Sequence, residues 1–432
     1  MVFRKLPRGQ LYFDSAGVLA DAVRRLGPRP AEGEVVQRFE QAFAAELRAP
    51  SAVALPHARV ALLQLLRVLS LPPGSEVVMT PVTIPEIVSV VLIAGLRPVF
   101  VDLGERTCNI DCDDLERKIT PRTKLILLTH LCGLPSEMER VMALAQRHGL
   151  EVLEDCSQGP GAQFAGRTLG LWGRAGFFSL TPLKPVSTFH GGMVVTTDAS
   201  LERELRRLNA TGPGPLPKRE LLRLFVRDNL LNGVTDLTMF SLLTHHAVRA
   251  GELLNPELVR EFQRGNFFNS KVKRRKVVRL ERLPEWMFAR YSDFQASTGF
   301  RGLRDLVAGN RRRRELSLLL HRLLTEARVP GLLRLPANTE GCTFWRFPLW
   351  VERPGDLPRL RRHLFARGID SSPTNLECCS REDAYSEFAA DTPHARRFVD
   401  GMLFLPMHPN LNEGDMRRMA EAVAEFQLDA KG

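Results

Sequence analysis

The chain has 432 residues, of which 44% are hydrophobic and 25% are charged, and its 60 Lys and Arg exceed its 49 Asp and Glu to give a net charge of +11. This composition excludes a disordered chain, a collagen and a coiled-coil rod. No apolar run reaches the roughly 18 residues of a membrane-spanning helix, and the N-terminal segment lacks the apolar region of a secretory signal. The seven cysteines include no CxxC spacing. Together these features predict a cytoplasmic protein in a reducing compartment.

The excess positive charge is concentrated in two runs, KVKRRKVVRLER at residues 271–282 and RRRR at residues 311–314. A basic protein often binds an anionic partner such as a nucleic acid, a membrane surface or a phosphorylated substrate. The sequence shows no zinc-finger spacing, no RNP-like aromatic motif and no basic region with heptads. We therefore expect no nucleic-acid partner and no metal site, and interpret RRRR as a solvated helix face.

Between residues 50 and 200, short apolar runs alternate with amphipathic stretches. The runs predict seven strands, at residues 53–55, 77–80, 98–101, 125–129, 151–153, 176–180 and 193–196. Helix-like segments such as residues 60–69 and 136–148 lie between them. This alternation predicts a mainly parallel sheet with helices on both faces, and ligands in such sheets bind at the carboxyl ends of the strands.

The rest of the chain has two other patterns. Residues 213–284 begin with Pro-Gly punctuation, continue as an amphipathic stretch rich in Leu and Phe, and end in the basic run. Beyond residue 300, a helix, a strand and two further helices are predicted, at residues 301–328, 343–351, 357–367 and 413–426. We expect three regions: a large domain (1–212), an insertion with a return to the core (213–299) and a small C-terminal α+β domain (300–432).

The segment VLEDCSQGPGA, residues 152–162, places polar side chains at a strand end. The apolar strand finishes in Glu154 and Asp155, and Gln158 follows three residues after the aspartate. A carboxylate at the carboxyl end of a strand points into the ligand crevice. An Asp in this place is also a common helix N-cap, so the signal alone is not specific.

The segment GFFSLTPLKPVSTFHGGMVVTTD, residues 176–198, leads from a buried strand to Ser179, Lys184 and a Gly-Gly pair. A lysine in a polar loop is usually solvated, but the strongly apolar flanking strands would hold Lys184 near the crevice. A lysine, a strand-end aspartate and a small hydroxyl are the groups that pyridoxal phosphate needs. The lysine forms an imine with the aldehyde, the aspartate keeps the pyridine nitrogen protonated, and hydroxyls with helix-terminal N–H groups hold the phosphate.

Other nucleotide-binding motifs are missing from the sequence. No GxGxxG follows a strand, and there is no GxxxxGK[ST]. A dinucleotide site and a P-loop are therefore not expected.

These segments together resemble the DegT/DnrJ/StrS aminotransferases, a family of sugar aminotransferases. Four segments carry the resemblance in the family's order, namely residues 33–55, 98–158, 178–192 and 403–426. The resemblance implies an α/β protein of PLP fold type I, in which a large domain holds a mainly parallel mixed sheet sandwiched by helices beside a smaller C-terminal α+β domain. It also implies a homodimer with active sites at the interface.

The resemblance implies roles for individual residues. Lys184 is implied to be the catalytic lysine that bonds to the cofactor, and Asp155 the partner of the pyridine nitrogen. Gln158 is implied to lie near the ring oxygen, and Ser179 to contact the phosphate.

Three more residues match the family by position. Ala58 and Arg59 fall where the family has its phosphate loop, at the start of a helix, where backbone N–H groups can hold phosphate beside any side chain. His130 matches a strand-end histidine of the family, and either a substrate contact or a positioning role is open for it.

The sequence also departs from the family pattern at three positions. His190 stands where Glu usually precedes the two glycines, which makes it a further candidate for a substrate-contacting or positioning role. Phe288 stands where the partner subunit's asparagine is usual, and Ile84 where an aromatic residue often stacks on the cofactor ring. These changes affect the expected substrate recognition and partner contacts more than the cofactor. Relatives that act as dehydratases have His in place of the lysine, so Lys184 favours transamination.

We therefore expect PLP-dependent transfer of an amino group from an amino acid, with glutamate the expected donor, to a keto-sugar that is expected to be nucleotide-linked, in amino-sugar or surface-glycan biosynthesis. The alternative is a catalytically impaired pseudoenzyme that acts as a membrane-associated or regulatory subunit in glycan assembly. For residues 213–284 we favour extra dimer-interface or lid structure. A peripheral contact of residues 219–282 with the inner membrane face is the alternative, since an apolar helix and a basic cluster adjoin there.

Overall fold

The computed structural model describes residues 4–11, 33–254, 276–336 and 338–429 of the chain. Its largest sheet has seven strands: β1 (Ser51–Leu55), β2 (Glu76–Met79), β4 (Arg97–Phe100), β5 (Thr123–Thr129), β6 (Glu151–Asp155), β9 (Ala175–Ser179) and β10 (Gly192–Thr196). They lie in the order β1-β10-β9-β6-β5-β2-β4. Neighbours from β9 to β4 are parallel, whereas β10 is antiparallel to both β9 and β1. The predicted mainly parallel sheet is therefore confirmed.

Helices cover both faces of this sheet. They are α1 (Glu34–Leu47), α2 (Ala58–Leu69), α3 (Pro85–Ile93), α4 (Cys112–Lys118), α5 (Met138–His148) and α6 (Ala199–Ala210). Alternate residues of β5 enter different cores: Leu125 and Leu127 pack in one, and Ile126 and Leu128 in the other. Because side chains alternate along a strand, a run that is apolar at every position fits a sheet buried on both faces.

Three short strands between residues 82 and 168 lie outside the large sheet. They are β3 (Val82–Thr83), β7 (Gln163–Phe164) and β8 (Arg167–Thr168). The last two pair only with each other, as an antiparallel hairpin that follows β6.

The segment between residues 213 and 284 is mainly helical over residues 218–254, whereas its described residues 276–284 form no helix. It contains α7 (Lys218–Thr235), then α8 (Leu237–Met239), which continues through a π-helical turn at Phe240–Thr244 into α9 (His245–Leu254). Four of the seven basic residues in the run at 271–282 fall outside the described residues, namely Lys271, Lys273, Arg274 and Arg275. A search of the described helices finds none with the length and apolarity needed to cross a membrane.

The C-terminal region forms a second, smaller layer. Its strands β11 (Phe347–Trp350), β12 (Ser372–Pro373) and β14 (Met402–Leu405) make an antiparallel sheet in the order β11-β14-β12, and β13 (Glu377–Cys378) pairs with β3. Its helices are α10 (Asp293–Arg304), α11 (Leu306–Glu326), α12 (Leu357–Ala366), α13 (Pro393–Gly401) and α14 (Glu413–Asp429). The β13–β3 pairing therefore joins the small sheet region to the large one.

One predicted helix differs in the structure. The pattern predicts a single helix at 301–328, whereas α10 ends and α11 begins on either side of Asp305. The backbone of Asp305 has φ −89° and ψ 0°, outside the helical region, so the chain changes direction there. The predicted strand at 343–351 is confined to Phe347–Trp350.

Candidate active site

The strand register brings several polar residues to one edge of the large sheet. Leu55 at the end of β1 is paired with Gly192, and Gly192 is paired with Ser179 at the end of β9. In the neighbouring pair of strands, Asp155 at the end of β6 is beside Thr129 at the end of β5. These strand ends therefore form one wall, as expected for a ligand site in an α/β sheet.

Lys184 lies in the loop that joins the antiparallel strands β9 and β10. Backbone hydrogen bonds close this loop at its base, from Leu180 N–H to Gly191 O and from Thr188 N–H to Leu180 O, at 3.0 and 2.9 Å. Two of its residues have positive φ, namely Leu183 at 70° and Phe189 at 67°. Such conformations cost on the order of 1–3 kcal/mol each and cluster at functional sites. The loop thus holds Lys184 in a fixed conformation beside the sheet edge.

A cavity of about 250 Å³ lies at this edge. Six of the predicted site residues line it together: Ala58, Arg59, Asp155, Gln158, Ser179 and Lys184. The structure therefore brings the whole predicted cofactor set into one place.

Asp155 and Gln158 are both held by backbone groups. The Asp155 carboxylate accepts a hydrogen bond from Ser157 N–H at 2.9 Å, and Gln158 Oε1 accepts one from Cys132 N–H at 2.8 Å. Burial raises the pKa of Asp155, against the opposing effects of the Ser157 hydrogen bonds and the charges of Lys184 and His130. A cationic partner in the cavity would therefore strongly favour the ionised carboxylate.

Lys184 is in contact with the small sheet region. Its Nζ atom lies 3.8 Å from the centre of the Trp345 indole, and the Arg346 guanidinium lies 4.4 Å from the same centre. Burial, and then the positive charge of Arg346, lower the pKa of Lys184 to about 7, although Asp155 acts in the opposite direction. A large fraction of Lys184 is therefore the neutral amine near neutral pH, as a nucleophile or base requires.

A second part of the cavity is suited to an anion. Ser179 Oγ and Thr181 Oγ1 are 3.0 Å apart, and Ala58 is the first residue of α2, whose N-terminal N–H groups carry partial positive charge. A Cβ atom at Gly192 would lie 2.7 Å from Ala58 N, so only glycine lets β10 approach the helix this closely. Arg59 also lines the cavity and forms an ion pair with Glu86 at 3.3 Å.

The two candidate histidines do not line this cavity. His130 is fully buried and shares a 3.2 Å hydrogen bond with Glu154, whose oxygens also accept backbone N–H groups of Gly170, Trp172 and Gly173. His130 and Glu154 therefore belong to a buried hydrogen-bond network next to Asp155 in the chain.

His190 instead lines a neighbouring cavity of about 420 Å³. Its Nδ1 lies 3.3 Å from the Pro56 carbonyl oxygen and 3.2 Å from Gln295 Nε2. His57, Arg59 and Thr181 line both cavities. His190 therefore lies next to the cofactor cavity without lining it.

Two departures from the family pattern have defined places. Ile84 lines the cofactor cavity, as its alignment with the ring-stacking position predicts, although an aliphatic side chain cannot stack as an aromatic ring does. Phe288 packs against the core of its own chain, on the side of the sheet that contains Leu125 and Leu127.

Sequence reasoning missed several residues of the cavity wall. The most important are His57, Thr181, Trp345 and, beside the indole, Arg346. His57 and Thr181 adjoin predicted residues and could have been found from that proximity. Trp345 and Arg346 come from the distant small region, and no sequence signal links them to Lys184.

The residues of this cavity fit pyridoxal phosphate. Lys184 offers an amine with a pKa lowered to about 7, Asp155 a buried carboxylate, and Ser179 with the α2 N-terminus a phosphate cradle. The Nε2 atom of His57 is also buried without a hydrogen-bond partner among the described residues, which leaves a polar atom for a ligand to satisfy.

The chain is similar in sequence and in fold to known aminotransferases. The family model for the DegT/DnrJ/EryC1/StrS aminotransferases matches residues 23–222 and 275–424. The chain is 47% identical over 153 residues to UDP-N-acetyl-3-dehydro-α-D-glucosamine 3-aminotransferase of Acidithiobacillus ferrooxidans. These aligned residues cover 35% of this chain and 42% of that protein. The chain thus spans less than half the length of this relative.

Two comparisons extend over nearly the whole chain. Over 410 residues it is 27% identical to dTDP-4-dehydro-2,3,6-trideoxy-D-glucose 4-aminotransferase of Saccharopolyspora spinosa, covering 93% of this chain and 89% of that one. The structure of Helicobacter pylori PseC, an aminotransferase of pseudoaminic acid biosynthesis, shares the fold with a TM-score of 0.74 at 21% identity, over 98% of this chain and 100% of that one. Since the family model matches most of its length, the chain belongs to the DegT/DnrJ/EryC1/StrS aminotransferase family.

Proposed function

We propose that the protein is a PLP-dependent aminotransferase that moves an amino group from an amino acid, with glutamate the expected donor, to the keto group of a nucleotide-linked sugar. The observation that carries this proposal is that Lys184 and Asp155 line one cavity with a phosphate cradle. The acceptor class is supported by relatives whose names describe UDP-linked and dTDP-linked sugar substrates.

The proposed chemistry divides between the cofactor and this chain. Bound pyridoxal phosphate supplies a carbon that carries the amino group and a protonated ring that withdraws electrons from the bond to the lost proton. Asp155 keeps the ring nitrogen protonated through charge pairing. Ser179 and the first turn of α2 would hold the phosphate in the cavity that Asp155 and Lys184 also line.

Lys184 moves the proton in this scheme. With the cofactor and donor bound, the free Nζ of Lys184 would accept the proton from the donor's α-carbon and hold it for its return. A pKa of about 7 suits this task, because the amine is neutral often enough to accept a proton and basic enough to hold it. Contact with the Trp345 indole keeps Nζ within the cavity.

The neighbouring 420 Å³ cavity supports a role for the insertion in acceptor binding. Helix α7 contributes Leu224, Leu231 and Val234 to its wall, next to Phe189 and Trp286. The family model leaves residues 223–274 unmatched, so the lining residues from α7 lie outside the regions that match the family. We infer that the insertion closes the acceptor side of the site as a lid, and that a homodimer completes it.

The pseudoenzyme alternative has less support. A protein that had lost catalysis would be free to lose the lysine, the aspartate or their common cavity. Instead Lys184, Asp155 and Gln158 all line one cavity, and the pKa of Lys184 is lowered.

A direct assay tests the proposal. The purified protein, loaded with pyridoxal phosphate, is incubated with L-glutamate and UDP-, GDP- or dTDP-linked keto-sugars, and mass spectrometry follows the nucleotide sugar and 2-oxoglutarate. We expect equal amounts of amino-sugar nucleotide and 2-oxoglutarate from one of these acceptors, and neither product from Lys184→Ala. Cofactor binding without transfer to any of the acceptors would contradict the proposal and favour the pseudoenzyme.

A further inference from the structure

His57 occupies an unusual position beside the cofactor cavity. It is the N-cap residue of the 12-residue helix α2, and its side chain makes no capping hydrogen bond. The side chain is only 4% exposed and lines the cavity. Its Nε2 atom is buried and has no hydrogen-bond partner in the part of the chain that is described. Such atoms are rare in folded proteins, because leaving one unpaired costs free energy.

Ring contacts fix the orientation of His57. Its imidazole stacks on the imidazole of His190, with ring centres 4.6 Å apart and an angle of 15° between the planes. It also makes an edge-to-face contact with the Trp286 ring, with ring centres 5.3 Å apart. His190 is in turn held against the Pro56 carbonyl oxygen and Gln295. The His57 ring therefore stays in place without a hydrogen bond of its own, as a preorganised ligand contact would.

The surroundings of His57 select an anion. The N-terminus of α2 is directly adjacent, Arg59 adds a positive charge, and the hydroxyls of Ser179 and Thr181 line the same cavity. Burial first, and then His190 and Arg59, lower the pKa of His57 to about 2, so its ring is neutral at physiological pH and one ring nitrogen donates. A dianion beside it would oppose those effects and favour the charged ring.

We propose that His57 Nε2 donates a hydrogen bond to the phosphate of pyridoxal phosphate at the N-terminus of α2. This inference rests on the proposed function, since it takes the cofactor of that function as the ligand. It assigns the phosphate an intrasubunit side-chain contact in addition to the backbone N–H groups of α2. His190 acts as a positioning residue that holds the His57 ring.

Comparing pyridoxal phosphate with pyridoxal isolates the phosphate. His57→Phe keeps a stacking ring but removes the donor, and His57→Gln restores an N–H. We expect His57→Phe to raise the dissociation constant for pyridoxal phosphate by about 10-fold or more, the usual effect of one hydrogen bond to a charged group. The constant for pyridoxal should change less than about threefold, and His57→Gln should recover part of the loss. The exposed His148 provides the matched control, His148→Phe, which should bind both ligands normally.

A second measurement uses the unmutated, cofactor-free protein and so does not depend on variant folding. The ¹⁵N NMR resonance of His57 Nε2 should shift in inorganic phosphate compared with potassium chloride of equal ionic strength. An unchanged resonance at saturating phosphate, or equal loss of pyridoxal phosphate and pyridoxal binding in His57→Phe, would overturn the phosphate contact.

The binding measurements distinguish a wrong His57 assignment from a wrong proposed function. If the unmutated protein binds pyridoxal phosphate but His57→Phe binds it equally well, only the His57 assignment is overturned. If the unmutated protein binds no pyridoxal phosphate at all, both the assignment and the proposed function are overturned.

Discussion

Lys184 and Trp345 join the two sheet regions at the active site. The lysine Nζ lies 3.8 Å from the centre of the indole, and the indole N–H donates a 2.8 Å hydrogen bond to the carbonyl oxygen of Leu183. Trp345 thus contacts both the Lys184 side chain and the backbone next to it. Because Trp345 immediately precedes Arg346 and the strand β11, the small region influences the position and charge environment of the lysine.

Arg346 is expected to lower the pKa of Lys184. The Arg346 charge disfavours the ammonium form, so Arg346→Gln should raise the pKa of Lys184 from about 7 toward its usual value. In the proposed function, the neutral amine of Lys184 would form the bond to the cofactor aldehyde. The rate at which cofactor-free protein takes up pyridoxal phosphate should therefore rise with pH around pH 7, and this rise should move to higher pH in the variant.

The control for this experiment is Arg353→Gln, which removes an exposed arginine from the same region. It should leave the midpoint where it is in the unmutated protein. An unchanged midpoint in Arg346→Gln would show that burial alone lowers the pKa of Lys184.

Asp155→Asn should preserve the fold and the binding of pyridoxal phosphate but slow the reaction with glutamate by on the order of 100-fold. A neutral amide cannot keep the ring nitrogen protonated, so the electron-withdrawing power of the ring falls. Stopped-flow absorbance of the bound cofactor measures the rate, and circular dichroism checks the fold. Asp391→Asn, at an exposed site, should react normally. A near-normal rate in Asp155→Asn would place the ring elsewhere.

Glu154 is expected to stabilise the site without taking part in the reaction. Its carboxylate accepts three backbone N–H groups at 2.7–2.8 Å and contacts His130. Removing it leaves buried donors unpaired, so Glu154→Ala should lower the free energy of unfolding by about 3 kcal/mol or more. Glu151→Ala, in the same strand but half-exposed with one ion pair to Arg174, should lose under about 1 kcal/mol. Urea denaturation gives both values, and equal losses would contradict this role.

The insertion is expected to act as a lid or interface and not as a membrane anchor. Phe225 of α7 packs against Phe189 and Phe294, with ring centres 6.3 and 6.2 Å apart, so one face of the helix is already covered. We expect no flotation with anionic vesicles at low salt, for the intact chain or for a variant with Lys271, Lys273, Arg274, Arg275 and Lys276 changed to Gln.

The exposed apolar face of α7 is the surface through which a membrane contact would form. Leu222, Val226 and Leu230 are exposed on the other face of α7, at 61%, 48% and 62%. Salt-sensitive flotation of the intact chain that is lost in the Gln variant would support a peripheral membrane contact instead.

The sheet and its reactive edge were predictable from local patterns. Strands buried on both faces read as continuous apolar runs, and Asp155 and Ser179 stand where two of those runs end. Trp345 was not predictable in this way, because its contact with Lys184 depends on how the small region packs on the large one. The break at Asp305 was missed because both flanking segments have helical patterns and no Gly or Pro marks the boundary.

His57 shows a different limit of the sequence. Its segment, HARVAL, directs attention to the helix start at Ala58 and Arg59, where backbone N–H groups explain phosphate binding without any side chain. That His57 is buried and leaves Nε2 unpaired among the described residues depends on the His190 ring, which lies far along the chain.

Lys184 is proposed to be the amine that holds the cofactor. Borohydride reduction of the unmutated protein with pyridoxal phosphate, followed by peptide mass mapping, identifies that amine. We expect one reduced pyridoxyl group, on Lys184, and no fixed cofactor in Lys184→Ala, which should still bind it weakly through the phosphate contacts. Recovery of the group on any other lysine, or equal labelling of Lys184→Ala, would show that Lys184 does not have this role.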